Sequence, residues 1–221
     1  MNIKEGIEKR FSVRAFTDEV PSMDIIKEIL ITANSAPSGG NIQPWKVYVL
    51  NEETKKALAE KTLHNFDNGV QEEIEYDIYP KPLADEYKKR RYECGADMYK
   101  ALSIEKDDLD SRFKQIRENY NFFGAPLGMI ITIDRSFGRN GWGHVGMFLE
   151  NLWLSAIDKG LGLCLQESWS IYPKTVKEIT KHPENEIVWC GVAIGYEDKE
   201  DPINQYRTSR EELESFVRFV E

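Results

Sequence analysis

The sequence predicts one domain that mixes α-helices with β-strands, and three observations support this. The chain has 221 residues, of which 41% are hydrophobic and 11% aromatic, so it can bury a core of its own. An apolar stripe at helical spacing runs from Ile25 to Ala33. Residues 46–50, 128–133 and 187–194 have the composition of β-strands. We therefore expect a single domain over residues 1–221.

Caps and terminators predict further helices. Ser22 is a suitable N-cap for the helix that carries the apolar stripe, and this helix should end before Pro37. Gly160 occupies the usual position after a helix end, and Pro173 suits the first turn of another helix. The other helices are expected over residues 2–10, 52–72, 145–159, 173–181 and 211–220.

Residues 73–123 form a charged stretch that is rich in aromatic side chains. Pro80 and Pro82 interrupt it, but its tyrosines and phenylalanines are too many for a disordered linker. They include Tyr76, Tyr79, Tyr87, Tyr92, Tyr99, Phe113 and Tyr120. We expect an ordered, largely helical excursion within the same domain.

Charge and hydropathy narrow the range of partners. The formal net charge of −9 argues against nucleic acid, because a phosphate backbone would be repelled without a concentrated basic patch. The amino-terminal residues are polar, and the longest apolar run, residues 126–133, is too short to span a bilayer. The expected protein is cytoplasmic, with no nucleic acid and no membrane among its partners.

No metal site is predicted. The three cysteines are widely spaced and odd in number, which fits neither a disulfide framework nor a CxxC motif. The histidines show no HxxxH pair and no cluster with cysteine. We interpret the cysteines as buried thiols. These residues are Cys94, Cys164, Cys190, His64, His144 and His182.

The first candidate binding segment contains Arg10, Ser12 and Arg14. In an extended stretch these alternate residues share one face, and two guanidinium groups with a hydroxyl suit a phosphate or the edge of a heterocycle. The alternative is a solvated basic surface. Arg207 and Arg210 add two cations near the carboxyl end, where the same alternative applies.

The second candidate is the loop over residues 37–45. Its paired glycines allow the backbone to approach a ligand, while Ser38, Asn41 and Gln43 offer donors and acceptors. The alternative is a turn before a strand, with Trp45 as a core residue. No GxSxG, GxxxxGK[ST] or strand-linked GxGxxG motif occurs, so hydrolase, P-loop and Rossmann chemistry are not predicted.

Four segments in this order resemble the nitroreductase family across nearly the whole chain. They are RFSVRAF at residues 10–16, APSGGNIQPW at 36–45, GLGLCLQE at 160–167, and GYED with NQYR at 195–198 and 204–207. Residues 87–95 and 121–126 are similar to the branch that includes nitrobenzoate and dinitroaniline reductases. The resemblance implies an α+β fold, with a mostly antiparallel sheet flanked by helices in an intertwined homodimer.

The resemblance also implies an FMN site at the dimer interface. Arg10, Ser12 and Arg14 would hold the phosphate, ribityl and pyrimidine groups, and Arg207 and Arg210 would add to the phosphate contacts. Loop and strand residues would complete the site: Pro37, Ser38 and Gly39 from the second subunit, with Asn41, Gln43, Gln166 and Glu167 against the flavin. Glu167 stands where many relatives carry glycine, which is a departure from the family pattern.

The implied reaction is ping-pong transfer of reducing equivalents from NAD(P)H through FMN to a nitroaromatic, quinone or similar electron-poor acceptor. Arg14 is the expected catalytic residue, because its charge would support the reduced flavin. Tyr120, Phe122 and Phe123 are expected to contact the acceptor as part of a roof over the site. The alternatives are reductive dehalogenation, enone reduction or flavin fragmentation on the same fold, or a flavin-binding module without turnover.

Overall fold

The computed structural model describes residues 2–220, so the predicted domain ends, Met1 and Glu221, lie outside the described residues. Its centre is a four-stranded sheet in the order β1-β2-β4-β3, and every neighbouring pair is antiparallel. The strands are β1 (Trp45–Leu50), β2 (Leu127–Asp134), β3 (Gly162–Gln166) and β4 (Glu186–Gly195). Helices surround this sheet, so the predicted α+β class is confirmed.

The helices are distributed along the described chain. They are α1 (Ile3–Lys9), α2 (Met23–Ala33), α3 (Glu52–Asp67), α4 (Asp85–Ala101), α5 (Leu109–Arg117), α6 (Arg139–Asp158), α7 (Pro173–Thr180) and α8 (Leu213–Phe216). Short 3₁₀ turns cover Gly39–Asn41, Glu118–Gly124, Glu167–Ile171 and Pro202–Asn204. Within residues 2–220, none of the helices has the length and apolar character that a bilayer crossing requires.

Apolar side chains cover both faces of the sheet. On one face, Met129 and Ile131 of β2 pack in a cluster with Ile29 of α2 and with Phe148 and Leu152 of α6. On the other face, a second cluster is formed around α3, α7 and two of the 3₁₀ turns. Its members include Leu58, Ile130, Trp169, Tyr120, Phe122 and Phe123. The sheet is therefore the middle layer. Segments from near the two ends of the described chain meet beside its edge strand β3.

Most predicted helix starts are confirmed. The Ser22 hydroxyl accepts a hydrogen bond from the Ile25 backbone nitrogen at 3.3 Å, as an N-cap should. Gly160 has a φ of +76° directly after α6, and Pro173 is the first residue of α7. Residues 85–101 and 109–117 supply the helices expected in the excursion.

Three predicted helix boundaries are wrong. The helix expected over residues 52–72 ends at Asp67, because Gly69 adopts a φ of +65° and turns the chain. The helix expected from residue 145 already begins at Arg139, in a glycine-containing stretch that weakens the sequence signal. The helix expected over residues 211–220 is reduced to the single turn Leu213–Phe216, where the Phe216 side chain is 70% exposed. A helix needs a packed face to persist at this length.

Candidate active site

The segment with the first two candidate arginines runs beside the edge strand β3. The Val13 backbone nitrogen donates to the Leu163 carbonyl at 3.0 Å, and Ser12 forms a parallel bridge to Leu163. The Val13 side chain is buried against Gly162, where a Cβ atom would lie only 2.6 Å from Val13 Cγ2. This close approach fixes the segment on the sheet and leaves Ser12 and Arg14 partly exposed.

Arg14 is held by a buried asparagine that the sequence analysis did not assign to the site. The Asn204 side chain, 1% exposed, accepts from the Arg14 backbone nitrogen at 2.9 Å and donates to the Ala15 carbonyl at 2.8 Å. The Arg14 guanidinium donates to the Ser12 carbonyl at 3.3 Å and lies over the Phe123 ring, 5.9 Å from its centroid. The sequence signal that could have pointed to Asn204 is its position in the NQYR segment.

The other arginines differ in how closely they join this group. The Arg207 guanidinium lies 3.5 Å from the centroid of the Phe11 ring and donates to the Asn204 carbonyl at 2.6 Å. Arg10 stacks over Trp153 at 4.6 Å and forms a 3.8 Å ion pair with Glu150. Among residues 2–220, Arg210 donates only within its own segment, to Thr208 and Ser209. The structure thus brings Arg207 to the Phe11–Arg14 segment and leaves Arg210 apart.

Three of these cations have no ion-pair partner among the described residues. In the part of the chain that the structure describes, no carboxylate lies within ion-pair distance of Arg14, Arg207 or Arg210. Arg14 produces a positive potential at the Cys164 thiol. Burial raises the pKa of this thiol, and the charge of Arg14 opposes that rise.

The loop over residues 37–43 is stabilised mainly by its own hydrogen bonds. The Ser38 hydroxyl accepts from the Gln43 backbone nitrogen at 3.0 Å, and Gly40, Asn41 and Gln43 all adopt positive φ angles. Within residues 2–220, no hydrogen bond or ion pair joins this loop to the candidate arginines. Trp45 is buried and stacks on Phe148 at 5.0 Å, so the alternative of a core residue after the loop also holds.

Gln166 and Glu167 lie where β3 ends. The buried Gln166 amide donates to the Asn119 carbonyl at 2.6 Å and accepts from the Trp169 indole at 3.3 Å. These bonds commit the Gln166 side chain to the protein, so only its backbone remains for a ligand. The Glu167 carboxylate has no hydrogen bond among residues 2–220, and burial raises its pKa.

The structure buries the three aromatic residues that were expected to contact the acceptor. Tyr120, Phe122 and Phe123 are 3%, 0% and 6% exposed. The Phe122 ring stacks on Trp169 at 4.5 Å, and the Tyr120 ring packs edge-on against Trp169 at 5.7 Å. Phe123 adjoins a candidate site residue, because the Arg14 guanidinium lies over its ring. Core packing explains the burial of these rings. Their contact with an acceptor stays a prediction.

Helix α4 of the excursion is attached beside the arginine group. The Tyr206 hydroxyl donates to the Cys94 carbonyl at 3.0 Å, and Arg90 pairs with Glu211 at 2.7 Å. These two contacts connect the excursion to the segment that carries Arg207. No group of three or more metal-ligating side chains occurs among residues 2–220. All three cysteines are free; Cys164 and Cys190 are buried, but Cys94 is exposed, so the prediction of a buried thiol is wrong for Cys94.

Comparison with known proteins identifies the family. The Nitroreductase family profile matches residues 7–196. The chain is 34% identical over 214 residues to the 4-nitrobenzoate reductase of Nocardioides sp. (strain LMS-CY), covering 96% of this chain and 87% of that relative. It is 32% identical to the nitrobenzene nitroreductase of Ectopseudomonas oleovorans, covering 99% and 96%. The structure resembles the FMN and NADPH-dependent nitroreductase NfnB of Sphigopyxis sp. strain HMH, with a TM-score of 0.96, 33% identity and full coverage of both chains. The chain belongs to the nitroreductase family.

Proposed function

We propose that this protein is an FMN-dependent oxidoreductase that uses NAD(P)H to reduce nitroaromatic compounds, quinones or similar electron-poor acceptors. The observation that carries the proposal is Arg14, a partly buried guanidinium with no acid partner in the described chain. A partly buried cation in a protein of net charge −9 is better stabilised by a bound anion than by solvent alone. The names of the two reductases and of the NfnB structure support the same function.

The chemistry of the donors fits FMN. Its phosphate and the polar edge of its ring system both accept hydrogen bonds from guanidinium groups, and a hydroxyl such as that of Ser12 can bind a phosphate or ribityl oxygen. We assign Arg10, Ser12, Arg14 and Arg207 to these contacts. Arg210 lies apart from this group in one chain, where its Nη1 atom bonds to Thr208 and Ser209. Gln166 and Glu167 would contribute backbone groups.

When bound, FMN supplies the transfer of an electron pair from the nicotinamide to the acceptor, with the two substrates using the site in turn. The protein contributes position and charge. Arg14 holds a fixed positive charge where negative charge develops, and such preorganised charge lowers the barrier without reorganisation during the reaction. Asn204 keeps Arg14 in place, because its side chain bonds to the backbone on both sides of the Arg14–Ala15 peptide.

We further propose a homodimer in which Pro37, Ser38 and Gly39 of each subunit complete the site of the other. The separation of this loop from the arginines within one chain supports the proposal, as does Ile42, which is 54% exposed in the loop. Asn41 and Gln43 would face the flavin from the same loop. The acceptor is a small organic molecule, and a cytoplasmic location agrees with three unpaired thiols.

An anaerobic assay tests the proposed function. The protein reconstituted with FMN would be mixed with NADH or NADPH, and nicotinamide oxidation followed with 4-nitrobenzoate, nitrobenzene, a benzoquinone or no acceptor. We expect saturable oxidation that depends on the acceptor. Consumption of one equivalent of nicotinamide per flavin, with no acceleration by any acceptor, would indicate a flavin-binding module. Absence of nicotinamide oxidation in every mixture would contradict the proposal.

A further inference from the structure

His144 connects helix α6 to the loop that carries Ser38 and Gly39. Its Nε2 atom accepts a hydrogen bond from the Gly39 backbone nitrogen at 3.2 Å, across 105 residues of sequence. A Cβ atom at position 39 would lie 3.2 Å from the same Nε2 atom, so the close approach of backbone and imidazole favours glycine. The contact therefore depends on glycine at position 39 and on histidine at position 144.

The remaining hydrogen bonds of the loop are internal. The Asn41 and Ile42 backbone nitrogens donate to the Ser38 and Gly39 carbonyls at 2.9 and 3.3 Å. The Gln43 backbone nitrogen donates to Ser38 Oγ, and the Gln43 amide donates to the Asn41 carbonyl. Among the described residues, the bond to His144 is thus the one hydrogen bond from residues 38–43 to a distant part of the fold. The loop maintains its own shape, and His144 determines where that shape lies.

The second ring nitrogen of His144 argues against a purely structural role. Because a backbone N–H donates to Nε2, the neutral ring carries its proton on Nδ1. That Nδ1 atom is buried, and no hydrogen-bond partner for it occurs within residues 2–220. A histidine retained for core stability would have both nitrogens satisfied, since a buried donor without an acceptor costs free energy. The role of the imidazole is therefore its hydrogen bond to Gly39.

We infer that His144 is a positioning residue for the flavin site: through Gly39 it fixes Ser38 in the place where the loop meets the FMN bound to the other subunit. The inference rests on the proposed function. Ser38 Oγ accepts from Gln43, so its hydroxyl hydrogen remains able to donate to a ligand. The Gly39 amide, in contrast, is engaged by His144.

Two polar variants of different reach test the inference. In His144→Gln the side-chain oxygen can take the place of Nε2 as an acceptor, whereas the side chain of His144→Asn is too short to reach Gly39. FMN affinity of the apoprotein would be measured by flavin fluorescence, with hydrogen exchange of residues 36–45 and light scattering in parallel. We expect about tenfold weaker FMN binding and faster loop exchange in the asparagine variant, and values within about threefold of wild type in the glutamine variant. Both should remain dimers.

Equal FMN affinity and equal loop exchange in wild type and His144→Asn would overturn the inference. If His144→Asn does not fold, Gly39→Ala provides the second test, because its Cβ should displace the loop from the ring. The effect of Gly39→Ala on FMN binding should disappear in a His144→Ala background, and persistence of the full effect there would also overturn the inference. Wild-type protein that binds no FMN would instead contradict the proposed function.

Discussion

Arg14 is the side chain on which the proposed chemistry depends most. Replacing it by alanine removes a fixed positive charge from the flavin site. We predict that Arg14→Ala lowers the midpoint potential of the bound FMN and slows its reduction by NAD(P)H, at a cost of about 2 to 4 kcal/mol in activation free energy. Potentiometric titration and stopped-flow absorbance of the reconstituted protein measure both effects.

Arg112→Ala is a matched control for Arg14→Ala. The Arg112 guanidinium also lies over an aromatic ring, that of Tyr99, at 4.3 Å, but it belongs to the excursion. Its loss should leave the flavin potential unchanged. If Arg14→Ala behaves like this control in both measurements, Arg14 is a surface residue without a role in the site.

Glu167 gives a prediction about pH. Burial raises the pKa of its carboxyl group, so the folded protein retains a proton that the unfolded chain releases. The stability of the wild-type protein therefore falls as the pH rises through the interval between the unfolded and the folded pKa. We predict that Glu167→Gln, which cannot ionise, becomes increasingly more stable than wild type as the pH rises above about 4.3, the usual pKa of glutamate.

Urea unfolding of both proteins at several pH values measures this difference. Glu53→Gln, at an exposed position, provides the control for replacing a carboxylate that folding does not bury. A difference between Glu167→Gln and wild type that did not vary with pH would show that the Glu167 carboxylate is not destabilised in the folded state.

Residue types could be predicted better than residue contacts. Chemical type and motif order made Arg10, Ser12, Arg14 and Arg207 candidate site residues, and the structure brings Arg207 to the segment of the other three. Asn204 was missed as a site residue, since its hydrogen bond to Arg14 joins positions 190 residues apart. The burial of Phe122 likewise depends on packing against Trp169, which local composition does not reveal.

At the scale of elements, strands with β-branched residues were predictable and the edge strand β3 was not. The strands expected over residues 46–50, 128–133 and 187–194 each lie within the observed β1, β2 and β4. Strand β3 has the sequence GLCLQ, with no β-branched residue and no alternation of polar and apolar side chains. Strand β3 forms because every one of its residues pairs with β4 and because Ser12 bridges to Leu163. Those partners are distant in sequence.

The 3₁₀ turn Glu118–Gly124 belongs to the core, which leads to a prediction about stability. The Phe122 ring is fully buried, stacks on Trp169 and leaves no space for a Cβ atom at Gly128, 2.8 Å away. We predict that Phe122→Ala lowers the free energy of unfolding by about 3 to 5 kcal/mol. Tyr92→Ala, at a position 63% exposed, should change it by less than about 0.5 kcal/mol in the same denaturation experiment.

A loss as small as that of the control would place Phe122 outside the core and restore a more direct role in the site.

Phe123 differs from Phe122 because its ring adjoins Arg14. We predict that Phe123→Ala alters the ranking of nitroarenes and quinones as acceptors, while reduction of the flavin by NAD(P)H changes little. Separate measurement of the two half-reactions distinguishes the outcomes. Equal losses in both half-reactions, or loss of folding alone, would assign Phe123 to the core with Phe122.

At the scale of the whole molecule, the loop over residues 37–43 explains why a second subunit is proposed. One chain holds this loop and the arginine group without any hydrogen bond or ion pair between them in the described residues. The sequence could indicate that both segments belong to a flavin site. The proposal that they come from different chains rests on the family resemblance, because motif order alone is the same in either case.

We predict a stable homodimer with about twice the 25.6 kDa mass of one chain, and flavin bound only in the dimer. Light scattering coupled to size-exclusion chromatography, with absorbance recorded for flavin and protein, measures both properties. A monomer that carries flavin at micromolar concentration would show that one chain contains the complete site.

The identity of the bound cofactor tests the central claim most directly. Purified protein would be reconstituted with FMN or FAD, separated from free flavin, denatured, and the released pigment identified by chromatography and quantified against protein. We predict non-covalent FMN at one molecule per chain, because the arginine group suits a single phosphate and the family relatives include an FMN-dependent reductase. Release of FAD instead, or a protein that stays colourless after incubation with FMN, would contradict the assignment.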